Sequence, residues 1–233
     1  MLRQSIAHRP IDRILPLAAI SAAVLLLSVR IAFAGPVGPP IDDYVRALES
    51  SYRDVKALRA EFTQTHSWGN RVRVESGTVC FARGGLMRWD YREPSPKLFL
   101  ATAKSLILYV PAENQVTRSP VKSSEDIRVP FRLLLSRLNL GKVFAKIEFA
   151  DGAIDAQPRS RVLRAFPKNA EESGYAEVLM EITPSLDIHR LVITYIDHSR
   201  MEFLFERIQK NVPLSSALFD FTPPAGAEII EQK

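Results

Sequence analysis

Cysteine is almost missing from this chain: Cys80 is the only one among 233 residues. One thiol excludes an internal disulfide and a cysteine-built metal cluster, so the fold has to be held by its core. Histidine is scarce too. His66, His189 and His198 follow no H-E-x-x-H or paired-ligand spacing, which removes the motif-borne zinc sites. The glycines form no G-x-S-x-G elbow, phosphate loop or dinucleotide fingerprint. Asp197, His198 and Ser199 set the three triad residue types side by side, but neighbours on a strand or turn point apart and cannot assemble a triad among themselves. Glu171 and Glu172 sit in a polar stretch suited to solvent. No enzymatic activity, cofactor or metal is expected.

The N-terminus is distinct. Arg3, Arg9 and Arg13 precede an apolar run from Ile14 to Val29, and Ala32 and Ala34 make an A-x-A site. A basic region, a short apolar core and small residues at the cut are the parts of a secretory signal peptide. Pro16 interrupts the run and Arg30 closes it, which argues against a membrane anchor. The expectation is a signal peptide over residues 1–34, cleaved before Gly35, and one domain over 35–233, soluble and exported. The residue after the cut is glycine, so no lipid anchor on cysteine is expected. The formal charge is +5, but Arg3, Arg9, Arg13 and Arg30 leave with the signal segment. The rest is mildly basic and gives no reason to invoke nucleic acid.

After "GPVGPP", a flexible lead, Ile41, Tyr44, Val45, Leu48, Tyr52 and Val55 recur at steps of three and four, one face of an amphipathic helix with Asp42 as its expected N-cap. Period two then dominates. "RAEFTQTH", "RVRVES", "GTVCFAR", "LMRWDY", "KLFLAT", "SLILYV", "KVFAKIEFA", "RVLRAFP", "AEVLMEIT", "IHRLVITYID" and "RMEFLFERI" are strand candidates separated by turn-forming residues. Their short links argue for an antiparallel meander. "PFRLLLSRLNLG", residues 130–141, places Phe131, Leu134, Leu135 and Leu138 on one helical face, and "PLSSALFDF" is a second short helical piece. The fold class is therefore mainly β with a few helices (α+β). A curled antiparallel sheet would form an incomplete barrel, with a helical lid over an apolar cavity suited to an apolar ligand.

"SGTVCFARGGLMRWDY", residues 76–91, carries the most specific signal. Met87, Trp89 and Tyr91 share one face, read as inward, with Val79 and Phe81 on the preceding strand. Parity sends Arg83 inward as well, at the strand's end. A guanidinium there either reaches past the strand into water or donates to carbonyls of whatever covers the cavity mouth.

At these residues the chain resembles the periplasmic outer-membrane lipoprotein carrier proteins, the LolA family, from about residue 44 to 231. The resemblance rests on "LRAEFTQT", "SGTVCFARGGLMRWDYREP", "LILYVPAENQV" and "FDFTPPAGAEII". It implies an unclosed β-barrel with a helical lid. It also implies a carrier that takes acylated lipoproteins from an inner-membrane ABC-type exporter and hands them to an outer-membrane receptor lipoprotein. The family's cavity-mouth arginine falls on Arg83, which becomes a lid latch. Gly84 stands where the family has proline, Met87 where an aromatic is frequent, Thr102-Ala103 where an Asp-Gly turn is usual, and Ile107 or Leu108 where a tryptophan follows. These departures bear on the cargo more than on the fold.

The expected lipid-binding residues are Phe62, Val79, Phe81, Met87, Trp89, Tyr91, Leu98, Leu100, Leu106 and Leu108, with Leu134, Leu135 and Leu138 in the lid. The protein is expected to be a periplasmic monomer. Two alternatives stand beside the carrier: a periplasmic lipid or lipoprotein sensor, whose relatives carry an extra C-terminal domain for which little chain follows Pro224, and a carrier of another amphiphile such as a glycolipid.

Overall fold

A computed structural model describes residues 39–120 and 139–232. Helix α1 (Ile41–Tyr52) opens this part. Asp42 and Asp43 lie in its first turn, where acidic residues complement the helix dipole. Asp42 is not the N-cap: Pro40 takes that position without a side-chain cap, since proline suits the turn into a helix and needs no N–H partner. The helix ends at Tyr52, before Val55, the last residue of the expected helical face.

Six strands follow, β1 (Ala57–Trp68), β2 (Arg71–Ala82), β3 (Leu86–Glu93), β4 (Lys97–Ala101), β5 (Ser105–Val110) and β6 (Gln115–Pro120). "RVRVES" and "GTVCFAR" are one continuous strand, β2, not two. Helix α2 (Leu140–Val143) leads into β7 (Phe144–Phe149) and β8 (Arg161–Pro167). Helix α3 (Ala170–Ser173) is a single turn before β9 (Tyr175–Ile182), β10 (Ile188–Tyr195), β11 (Arg200–Lys210) and β12 (Glu228–Glu231).

The strands make one 12-stranded sheet in the order β12-β6-β5-β4-β3-β2-β1-β11-β10-β9-β8-β7, open at both edges. It consists of two antiparallel meanders joined where β1 pairs with β11. The expectation of a purely antiparallel sheet needs one correction, because β12 pairs with β6 in parallel. The chain reaches β12 through a long excursion, Asn211–Ala227, instead of a hairpin turn, so nothing forces the last strand to reverse direction.

That excursion decides how the sheet is buried. One face carries α1 and the main core. Leu48, Tyr52 and Val55 from the helical end pack on Phe62, Val79, Phe81, Trp89 and Phe205. The other face is covered at β2–β6 by the 211–227 excursion. There Cys80, Leu100, Ile107 and Val116 bury against Phe219, with Leu214, Leu218 and Phe221 around them. A smaller cluster of Val162, Leu179 and Val192 lies beneath the 150–160 connection. Strands covered on both faces lose the simple apolar-in, polar-out alternation.

Gly77 shows how tightly β2 and β3 approach. A Cβ at this position would overlap the carbonyl oxygen of Asp90 and come within 2.9 Å of Tyr91 Cα. The register shifts by one residue between Ser76 and Gly77, a bulge that requires a residue with no side chain.

Candidate functional site

The inward stripe of β3 sits among aromatic rings. Phe62 meets Trp89 edge-on at 4.8 Å and Tyr91 at 4.9 Å between ring centroids. Phe81 approaches Trp89 at 5.6 Å, and Phe203 lies 5.3 Å from the same indole. Such pairs add about 0.5–1.5 kcal/mol each beyond the area they bury. Phe62, Val79 and Phe81 are fully enclosed by this packing. They form the wall behind the site and do not line open space.

Open space begins beyond Trp89. A cleft of ≈ 410 Å³ lies along the same face of β3–β6, within the range of about 300–1,000 Å³ typical of small-molecule sites. Its floor is apolar: Met87 and Trp89 from β3, Phe99 from β4, Leu106 and Leu108 from β5, and Phe203 from β11. Register explains the set. Trp89 pairs with Phe99, Phe99 with Leu108, and Leu108 with Thr117, so these four residues cross the sheet in one row on one face. Thr117, Ser119 and Gln232 border the cleft on the β6 side.

Of the residues expected to bind lipid, Met87, Trp89, Tyr91, Leu106 and Leu108 come together here. Leu98 and Leu100 do not, and that expectation is corrected. Leu98 pairs with Asp90 and Leu100 with Arg88, on the face opposite Trp89. Leu100 is sealed there against Cys80, Ile107, Val116 and Phe219. The strand "KLFLA" is apolar in both parities because both its faces are covered. Leu134, Leu135 and Leu138 lie outside the described residues.

One end of the cleft is polar. The Tyr91 hydroxyl donates to Gln64 Oε1 at 2.7 Å. Burial pushes the Tyr91 hydroxyl pKa above its ordinary value, the Glu75 carboxylate adds to the rise, and Arg73 opposes it, so this donor stays protonated. Lys97 Nζ stands 2.7 Å from Glu75 Oε1 and 4.2 Å from the centre of the Tyr91 ring. Glu75 is 5 % exposed and also takes Arg73 at 2.8 Å. The sequence reading missed Gln64, Lys97, Phe99 and Phe203. The signal for Gln64 was its parity with Phe62. For Lys97 and Phe99 only the β3–β4 register carries it.

Arg83 lies just beyond β2 and is exposed. Its Nη2 donates to the Arg53 carbonyl at 2.7 Å and its Nε to the Val55 carbonyl at 3.2 Å, while its backbone N–H donates to Lys56 O at 3.0 Å. The last turn of α1 holds no basic residue, so Arg83 brings a cation to the helix end where carbonyls lack partners. The side chain passes out beyond the strand end and donates to the carbonyls that follow α1. Helix α1 is pinned elsewhere too. Ile188 N–H donates to the Tyr52 hydroxyl at 2.9 Å, and Leu140 N–H to Glu49 Oε1 at 2.7 Å.

Among the described residues no group of three or more His, Cys, Asp or Glu side chains is placed to hold a metal ion, and no helix is long and apolar enough to cross a membrane.

Comparison with known proteins gives a consistent outcome. Residues 53–222 match the family described as outer membrane lipoprotein carrier protein LolA. An outer-membrane lipoprotein carrier protein of Methylobacillus flagellatus is 28% identical over 192 residues, covering 81% of this chain and 89% of the relative. A protein of the same name from Dechloromonas aromatica is 26% identical over 218 residues, covering 91% and 95%. Among solved structures, an uncharacterized conserved protein from Thermus thermophilus superposes with a TM-score of 0.51 at 12% identity, covering 82% of this chain and 99% of that one. This last likeness concerns the fold alone.

Proposed function

Because the chain belongs to the outer membrane lipoprotein carrier family LolA, we propose that it binds the acyl chains of lipoproteins in the cleft along β3–β6 and carries them from the inner to the outer membrane. The observation that carries this reading is the cleft itself. Much of this sheet face is packed into the main core with α1, while along β3–β6 an apolar floor has ≈ 410 Å³ above it. The names of the matched relatives favour lipoprotein as cargo over the sensor or glycolipid alternatives.

Energetics fit a carrier. A chain of roughly 15 methylenes at about 0.8 kcal/mol each would gain on the order of 12 kcal/mol if wholly buried. Three such chains would pass the ceiling of about 18–21 kcal/mol for non-covalent complexes. Partial burial in a small cleft, set against a cost of opening, keeps the cargo releasable. Arg83 supplies such a cost in this scheme. It fastens the end of α1, and the closed, empty form competes with the loaded one. The signal peptide is cleaved before Gly35, and the domain of residues 35–233 works in the periplasm as a monomer. There it receives lipoprotein from an inner-membrane ABC-type exporter and delivers it to an outer-membrane receptor lipoprotein.

The test is solubilisation of a lipoprotein. Protein purified from the periplasm of expressing cells is mixed with a detergent-solubilised triacylated lipoprotein, the detergent is diluted out, and the mixture is ultracentrifuged. The acylated lipoprotein stays in the supernatant with the carrier, whereas its unacylated form does not associate. Equal pelleting of the acylated form with and without the protein would overturn the proposal.

A further inference from the structure

The cleft is apolar along its floor but not at both ends in the same way. At its Tyr91 end, Lys97 and Gln64 line the space together with Tyr91. We propose that this end is a head-group site: an acyl chain lies along the floor with its carbonyl or carboxylate oxygens against Lys97 and Gln64. The proposal rests on the carrier reading and adds a direction to it, with the chain's tail pointing toward Met87 and Leu106.

The chemistry of the donors carries the argument. Two cations, Lys97 and Arg73, share one buried carboxylate, Glu75, so the cluster is positive by one charge. An ammonium has three hydrogens to give. One goes to Glu75 Oε1 at 2.7 Å, and the residue lines the cleft. The Gln64 carbonyl oxygen accepts from the Tyr91 hydroxyl, and its NH₂ is the donor end of the same side chain. Both side chains therefore offer donors. Glu75, the acceptor-only group of the cluster, is buried and engaged by both cations. Ester, amide and carboxylate oxygens are acceptors and complement this set. A cationic head meets like charge there. The floor takes part of a tail: Met87 to Tyr91 along β3 is four residue steps, about 13 Å.

The experiment measures head-group preference at constant tail length. Palmitate, methyl palmitate and hexadecylamine, each below its aggregation limit, displace the neutral fluorophore N-phenyl-1-naphthylamine from the purified protein. Palmitate displaces it at a concentration at least about tenfold lower than hexadecylamine, the scale of one charge-assisted hydrogen bond. In Lys97→Met this ratio falls to near one, and Lys97→Arg restores it. The ratio is the readout because a general loss of packing would weaken both ligands alike. Lys97→Gln, uncharged but still able to donate to Glu75, gives the same fall in the ratio if the first variant folds poorly, since Arg73 alone then balances the carboxylate. Methyl palmitate within about threefold of palmitate assigns the site to ester carbonyls, as on an acylated protein; a gap of more than about tenfold assigns it to free carboxylates. A ratio near one in the wild type, or a ratio kept by Lys97→Met, overturns the head-group site while leaving the carrier reading intact. Failure of all three ligands to displace the fluorophore overturns both.

Discussion

Arg83 and Arg53 are 30 positions apart, yet the guanidinium of the first donates to the carbonyl of the second at 2.7 Å. Two like-charged residues are thus joined through backbone, and the end of α1 is tied to the end of β2. Arg83→Leu is expected to lower stability by about 1–2 kcal/mol, the scale of two partly solvated hydrogen bonds. A urea midpoint reads the loss, and hydrogen exchange reads faster opening at residues 50–56. If the tie is also the latch, the variant retains bound lipoprotein and passes it on slowly. Transfer at the wild-type rate would leave Arg83 with a structural role alone.

Filling the cleft should block it. Leu108 sits in the row Trp89–Phe99–Leu108–Thr117 and is half-buried at the floor. Leu108→Trp places an indole in the open space, and alkyl-chain affinity falls by about tenfold or more. The thermal midpoint, set largely by the enclosed core behind the cleft, moves little. Fluorophore displacement and a melting curve together decide this.

Gly77 should tolerate no side chain. Gly77→Ala drives a methyl group into the Asp90 carbonyl, and the cost is expected to reach about 3 kcal/mol or more, because the obstacle is backbone. Denaturant unfolding of this variant beside Gly84→Ala separates overlap from backbone conformation. At Gly84 the space is open, and only the left-handed φ of +86° resists the change.

Cys80 should be a poor nucleophile. Its thiol is 7 % exposed beside Phe219. Burial raises its pKa, Arg59 and Arg88 oppose the rise, and Asp90 adds to it. A thiol whose folded pKa lies above its unfolded value contributes stability below the unfolded pKa and loses it as pH climbs through the folded one. Reaction with an aromatic disulfide reagent at pH 8 is expected to run at least about tenfold slower than for a free thiol, since only the thiolate attacks. Denaturant abolishes the difference. Native-state reaction at the free-thiol rate would show that the 211–227 excursion does not cover this face.

The elements most visible in the sequence were those with one covered face. The helix at 41–52 and the strand around "RAEFTQTH" show clean periodicity because one side meets the core and the other meets water, while "LMRWDY" keeps its alternation because Arg88 and Asp90 pair with each other on its covered side. Leu98 and Leu100 were assigned to the wrong face for the opposite reason. The 211–227 excursion lies behind β2–β6, so Leu100 has an apolar partner in Phe219 just as Phe99 has one in the cleft. β6 escaped notice because "QVTRSP" alternates weakly, with Val116 as its only buried residue. β12 is exposed throughout and is defined by its parallel pairing, which no local pattern encodes.

By itself the sequence determined the mainly-β class, the position of α1, the aromatic stripe of Met87, Trp89 and Tyr91, and an arginine at the end of β2. These follow from period and parity, which are properties of neighbours along the chain. Only the tertiary structure decided where the face of the sheet stays open, that Leu100 belongs to the back, that Arg83 reaches the carbonyls after α1, and that Lys97 stands beside Glu75 and Tyr91 at one end of the cleft. Those relations depend on strand register and on which segment covers which face. Both are set by the summed packing of residues distant in sequence, so no local stretch of the chain carries them.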